Sequence, residues 1–141
     1  MAVEILRIGP HNAGILDHVD PEIFDDEIDR ERVAAFVATE NHLLVVAQDA
    51  GCVIGQIRAI VHLQPDGANQ LYIDNLGVAP THLRRGIASL LLQDVLSWGE
   101  ARGCEDAWVA TELDNEAARG LYARFMSEPE QTMAYFQIDI P

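Results

Sequence analysis

Apolar and polar positions along this chain change period several times, and each change marks an element. Residues 3-VEILRI-8 alternate, the period-two signature of a strand with one buried face. Gly9-Pro10 then turns the chain into a short helical stretch over 11–18. In 29-DRERVAAFVAT-39 the apolar residues Val33, Phe36 and Val37 recur at helical spacing and predict a second helix. Three strand-like runs follow: 43-LLVVAQ-48, 52-CVIGQIRAIVHL-63 and 70-QLYIDNLGV-78. Asp49-Ala50-Gly51 and 64-QPDGAN-69 part them with turn residues suited to antiparallel reversals. The spacing next predicts a long helix over 84–102, with Ile87, Leu90, Leu91, Val95 and Trp98 on one face and Gly103 closing it. The run 106-DAWVAT-111 is then a strand reached by a helical crossover, hence parallel to the strand before that helix. A helix over 115–126 presents Ala118, Leu121, Tyr122 and Phe125 on one face, capped by Asp114 or Asn115. Last, 132-TMAYFQIDI-140 alternates as a closing strand. The order β-α-α-β-β-β-α-β-α-β describes an α/β (α+β) fold, a mixed and mostly antiparallel sheet flanked by helices.

Composition narrows this picture. At 141 residues and 49% apolar content the chain can bury a core of its own, and no linker, low-complexity segment or repeat divides it. A single domain over 1–141 is therefore expected. No apolar run is long enough to span a bilayer, and the first residues lack a basic segment followed by a long apolar one. No membrane association is expected, and the expected location is cytoplasmic. Cys52 and Cys104 are far apart, with no metal-ligand spacing; two reduced core thiols and no metal are expected.

Charge excludes one class of partner. The formal net charge is −14, so a nucleic acid would be repelled at a distance. The same charge suits a cationic small molecule. Between Asp17 and Glu31 the carboxylates concentrate at Asp17, Asp20, Glu22, Asp25, Asp26, Glu27, Asp29 and Glu31. Two compatible readings stand for this stretch: a solvated surface, or a negative lip that draws in a polyamine-like substrate.

Against that background, 78-VAPTHLRRGIASLLLQDV-95 places an arginine pair at a helix start. Helix N-termini carry unsatisfied N–H groups and partial positive charge. Gly86 and Ala88 are small enough for a phosphate to approach the main chain, and Arg84 and Arg85 add charge from the side. The segment is neither a Walker loop, since no Gly-Lys-Ser/Thr follows, nor a G-x-G-x-x-G dinucleotide turn. Gly86 as a tight turn with exposed arginines is the competing interpretation.

These residues carry a resemblance. Leu76-Gly77-Val78-Ala79-Pro80, Arg84-Arg85-Gly86-Ile87-Ala88 and Leu90-Leu91-Leu92 resemble the acetyl-CoA motif of the GNAT N-acetyltransferases. That family's Gln/Arg-x-x-Gly-x-Gly/Ala pattern falls on residues 83 to 88. Asn115-x-x-Ala118-x-x-Leu121-Tyr122 resembles its fourth-helix signature, and the element order agrees with the GNAT fold. Two departures stand out: Leu83 holds the first motif position, and 125-FMSEPEQ-131 replaces the usual Gly-Phe.

The resemblance implies a chemistry. Acetyl-CoA would be the acetyl donor, its pyrophosphate held by Arg84, Arg85, Gly86, Ile87 and Ala88. Pantetheine would pair with the backbone of Leu76 and Val78 between two splayed strands, one amide holding the thioester oxygen. Tyr122 matches the family tyrosine that protonates the leaving thiolate; a core tyrosine is the alternative. Asn115 would contact the cofactor, cap its helix, or both. Asp74, a charge inside an otherwise apolar strand, is the first candidate for the base, against a solvent-facing residue; Glu112 and Asp114 are reserves. His11, His18, His42, His62 and His82 show no pairing pattern and read as surface or satisfied histidines.

For the acceptor, the acidic stretch falls where the family builds its acceptor wall. The segments 72-YIDNLGV-78, 82-HLRRGIA-88 and 135-YFQIDIP-141 are more loosely similar to small aminoglycoside 3-N-acetyltransferases of the GNAT type. The expectation is an N-acetyltransferase acting on a polycationic amine, an aminoglycoside being the sharpest case. A polyamine or protein amino group, or a non-catalytic acyl-CoA-binding module, are the alternatives. The resemblance also makes the closing strand an edge for a homodimer.

Overall fold

The computed structural model describes residues 2–141, which divide into one compact unit ending at Ala110 and a second spanning Thr111–Pro141. In the first unit, strands β1 (Glu4–Arg7), β2 (His42–Asp49), β3 (Cys52–Gln64), β4 (Gly67–Val78) and β5 (Cys104–Val109) form one sheet in that spatial order. The first three junctions are antiparallel, and β4 pairs with β5 in parallel, as a helical crossover requires. Helix α1 spans Arg30–Ala38 and α2 spans Ile87–Ala101. The mixed, mostly antiparallel sheet flanked by helices is the architecture the sequence pattern implies.

Alternation explains which face each helix covers. Gly55 on β3 faces Ile87 and Leu91 of α2, so Ile57, Ala59 and Val61 share that side. Val45, Ile57, Leu71, Leu91 and Val95 are fully buried in the resulting layer. Each such side chain contributes about 1.5–3 kcal/mol of burial free energy. Gln56 and Arg58 consequently face the other way, toward α1.

Several expected boundaries shift, each for a physical reason. The helix predicted from residue 84 begins at Ile87, because Arg84 (φ 63°) and Gly86 (φ 75°) adopt left-handed conformations that no α-helix accommodates. Its buried stripe runs through Leu92 and Gly99, which turns Leu90 outward. Gly103, also left-handed at φ 81°, closes the helix as expected. The stretch predicted as a helix over 11–18 is a short 3₁₀ turn over Ala13–Asp17. Asn12 stabilises its entry, accepting from Gly9 N and donating to Arg7 O. Cys52 and Cys104 are free but only half-buried, not core thiols.

In the second unit, α3 spans Glu116–Ala123, and the Asn115 side chain caps it by accepting from Ala118 N at 3.0 Å. Arg119 donates to Leu113 O and joins Glu130, tying the segment after the helix back onto it. The closing strand expected over 132–140 does not form. Tyr135 and Ile140 stand 86% and 91% exposed there. A strand is stabilised by a partner's backbone, and the unit Thr111–Pro141 contains a helix but no second strand to supply one.

Candidate functional site

The parallel pairing of β4 with β5 ends at Ile73↔Val109, yet β4 continues beside β3 as far as Val78. Residues 74–78 therefore have a sheet partner on one side only. Ala79 N donates to Ile54 O of β3 at 2.7 Å. Period-two alternation then turns the main-chain groups of Gly77 the same way, and those of Leu76 and Val78 toward the side that β5 has left. Leu76 and Val78 are the two residues to which the family resemblance gave a backbone-pairing role.

A β-bulge marks where the strands part. Arg58 pairs with Asn75 and Ala59 with Ile73, leaving Asp74 as the extra residue. The bulge aims Asp74 onto the α1-side face, where both its carboxylate oxygens accept from Arg58 Nε at 2.9 and 3.0 Å. Asp74 is thus neither a plain solvent-facing residue nor a free carboxylate. Its proton-accepting lone pairs are engaged by a guanidinium.

Beside it, Asn75 is held from both directions. Gln56, completely buried, donates from Nε2 to Asn75 Oδ1 and to Ile23 O, and Asn75 Nδ2 donates to Asp25 Oδ2 at 3.3 Å. The Gln56 Oε1 atom has no hydrogen-bond partner among the described residues. Gly77 makes this crossing feasible, since a Cβ there would lie 2.8 Å from Ile23 O. Asp20 N to Val53 O and Val53 N to His18 O strap the same segment onto β3.

That strap delivers the acidic stretch to a cleft of about 320 Å³ on the α1 face. Asp25, Asp26, Glu27 and Asp29 line its rim, Val33, Phe36 and Val37 one wall, and Leu44, Arg58 and Asn75 the sheet side. Asp29 doubles as the α1 cap, accepting from Arg32 N. The predicted face of α1 is therefore a cleft wall rather than core, and no α1 residue is fully buried. Half of the acidic stretch lines a concave surface; of the remainder, Asp17 pairs with Arg30, Asp20 accepts from Glu22 N, and Glu22 and Glu31 are exposed.

At the candidate anion site, α2 opens from a left-handed Gly86, which has no side chain to cap the helix's first N–H groups. Apart from its chain neighbours, no atom of the described residues lies within 4 Å of the place a Cβ would occupy on Gly86, which leaves room for a phosphate to meet the main chain. Arg84 and Arg85 are exposed at this turn. These features fit the pyrophosphate end of a CoA thioester. Among the described residues no cluster of His, Cys, Asp and Glu forms a metal-binding group. No helix of theirs is long and apolar enough to cross a membrane.

In the second unit, Tyr122 is half-buried, and burial pushes its phenol above the usual 10.0. Asn115 acts as the helix cap. Glu112 and Asp114 are exposed.

Sequence reading missed Arg58, Gln56 and Asn75. A signal existed for the first two: polar residues two apart on one face of an otherwise apolar strand. His82, read as a surface or satisfied histidine, is of the second kind: its Nε2 lies 2.8 Å from Asp49 Oδ2.

Comparison with known proteins decides the family. Residues 12–126 match the acetyltransferase (GNAT) family. The chain belongs to that family. This GNAT chain is 36% identical over 63 residues to a probable N-acetyltransferase HLS1-like protein of Arabidopsis thaliana, covering 45% of this chain and 15% of that relative. Its fold is similar to that of aminoglycoside acetyltransferase HMB0005 from an uncultured soil metagenomic sample, with TM-score 0.81, 21% identity and full coverage of both chains. It is equally similar to AAC(6')-Iy in complex with the bisubstrate analogue CoA-S-monomethyl-acetylneamine, with TM-score 0.81, 15% identity, and 99% and 100% coverage.

Proposed function

We propose that this GNAT protein is an acetyl-CoA-dependent N-acetyltransferase that acetylates a primary amine of a polycationic small molecule, aminoglycosides being the favoured class. One observation carries the reading: residues 74–78 border two places at once. Their outer edge offers unpaired backbone where β5 departs, and Asn75 of the same run lines a cleft rimmed by carboxylates. A thioester donor and a cationic amine have adjoining positions on one strand. Neighbours of the same fold agree in kind, one named as an aminoglycoside acetyltransferase and another bound to a CoA-linked acetylneamine.

Acetyl-CoA supplies an acetyl group activated as a thioester. In this reading the Gly86 turn and the N–H groups of Ile87 and Ala88 hold its pyrophosphate, with Arg84 and Arg85 adding charge. Leu76 and Val78 pair with the pantetheine arm, and one of their amides faces the oxygen on which negative charge develops. Asp25, Asp26, Glu27 and Asp29 raise the local concentration of a polycation. Asp74 takes the proton from the acceptor once the arriving ammonium displaces Arg58; Glu112 and Asp114 stay in reserve. Tyr122 gives a proton to the departing thiolate; a phenol holds that proton at neutral pH in any case, and burial shifts it further toward the protonated form. Asn115 fixes the start of α3, which carries Tyr122.

The test is thiol release from acetyl-CoA with a panel of aminoglycosides, polyamines and peptide N-termini, corrected for Cys52 and Cys104 by a blank without acceptor. Saturable release with an aminoglycoside is expected. Tyr122→Phe should lower kcat about 10²–10⁴-fold with acetyl-CoA affinity retained. Release only with polyamines or peptides would reassign the acceptor, and binding without any turnover would leave an acyl-CoA-binding module.

A further inference from the structure

The loop that would hold the pyrophosphate is conformationally costly, and its upstream anchor is a side-chain contact that the chemistry above does not use. Arg84 has φ 63° and Gly86 φ 75°, so two of three consecutive residues are left-handed, one of them with a Cβ. Such backbone persists only where its surroundings dictate it. Downstream, Ile87 is buried and starts α2. Upstream lies the 3₁₀ turn Pro80–His82, whose His82 Nε2 meets Asp49 Oδ2 at 2.8 Å while Nδ1 meets Thr81 Oγ1 at 2.7 Å. The carboxylate only accepts, so Nε2–H donates to Asp49; in the neutral ring Nδ1 then accepts from the Thr81 hydroxyl. Both partners are largely shielded, the His82 side chain 14% and the Asp49 side chain 19% exposed. Asp49 ends β2 beside the turn at Ala50 and Gly51, both at positive φ, so it is itself fixed by the sheet.

We propose that Asp49 and His82 are a positioning pair that sets the backbone of residues 83–88 for the pyrophosphate of the acyl donor. The proposal rests on the donor reading given above. Neither side chain touches the donor. The pair reduces the freedom that the loop must lose on binding, as preorganisation does elsewhere. Main-chain contacts alone, His82 N to Ala79 O at 2.9 Å and Ala79 N to Ile54 O at 2.7 Å, dock the turn but leave the direction of its exit open.

The test compares two donors that differ at the pyrophosphate: acetyl-CoA, and acetyl-pantetheine, which ends before it. His82→Ala should weaken acetyl-CoA about tenfold in kcat/KM, through KM rather than kcat, the loss expected for one charge-assisted hydrogen bond. Its kcat/KM with acetyl-pantetheine should equal the wild type's. Asp49→Ala should repeat the pattern from the other element, and Asp49→Asn, which still accepts from Nε2–H, should restore most of the affinity. Equal losses with both donors would overturn the proposal in favour of a general structural role, and no loss with either would overturn it outright. Should His82→Ala not fold, the Asp49 variants decide alone. A wild-type protein that binds no acetyl-CoA in calorimetry would instead refute the donor reading itself, a result visible before any variant is made.

Discussion

The two halves of β4 belong to one continuous strand and are stabilised differently. From Gln70 to Ile73 every residue is laddered to β3 on one side and β5 on the other, and Leu71 and Ile73 sit in the core. Past the bulge at Asp74 the strand keeps β3 and loses β5, and its side chains turn to polar work: Asp74 on Arg58, Asn75 between Gln56 and Asp25. The first half gains two ladders and apolar burial. The second gives up one ladder and exposes main-chain donors and acceptors that an extended ligand can satisfy. One extra residue separates scaffold from site.

That contrast breaks most severely in the scaffold half. Leu71 is 1% exposed and packs against α2 at Gly99. Leu71→Ala should cost about 2–5 kcal/mol of stability through lost burial and a residual cavity, read by urea unfolding. In the half past the bulge, Gly77→Ala puts a Cβ 2.8 Å from Ile23 O, a main-chain atom that cannot rotate away. A loss of about 1–3 kcal/mol is expected. It should come with a raised KM for the cationic acceptor, because the displaced segment carries the acidic rim. A Gly77→Ala protein with an unchanged acceptor KM would dissociate the strap from the cleft.

How much of this was legible in the sequence follows the same division. The scaffold half was readable because burial writes itself as a pattern: β2, β3 and β4 appear as apolar runs of strand length, whereas the largely exposed β5 was placed by the helical crossover before it. The bulge was not, since one extra residue leaves no mark on an alternating pattern that is already interrupted by Asp74 and Asn75. The spacing over 84–102 overextended α2, because left-handed φ at Arg84 is invisible in a run that reads as helix. The segment 132–140 shows the opposite error. Its alternation is as clear as that of β1, but alternation states only that a strand could form, not that a partner is available. His82 and Asp49 are 33 positions apart, and no local pattern announces such a pair.

Arg58→Met sharpens the comparison with a smaller change in stability. The pair is partly solvated, Arg58 37% and Asp74 21% exposed by side chain, so its removal should cost only about 1 kcal/mol. Its functional effect should be larger and of opposite sign. Taking a positive charge out of an acidic cleft frees Asp74 for the acceptor's ammonium, so KM for a polycationic acceptor should fall several-fold at low salt, and the gain should shrink as salt rises. A rise in KM would mean that Arg58 holds Asp74 in its working orientation.

The smallest expected stability effect lies beneath the site, at Gln56. Its Nε2 donates to two acceptors while its Oε1 meets no donor among the described residues, so the buried side chain is stabilising through one atom and destabilising through the other. Gln56→Leu removes the orphan oxygen together with the two donated bonds, and the net change in stability should stay within about 1 kcal/mol. Asn75 would then lose the contact that fixes which way its amide points, and with it the hold on Asp25. Acceptor KM should therefore rise while acetyl-CoA affinity stays constant, a split measured by varying each substrate against saturating levels of the other. Gln56→Glu offers the complementary case. A carboxylate there cannot donate to Ile23 O or Asn75 Oδ1, and it places a buried charge beside acceptors, so it should destabilise the protein well beyond the leucine variant. If leucine and glutamate behave alike, the amide is only filling space, and the half of β4 past the bulge owes its order to the main chain alone.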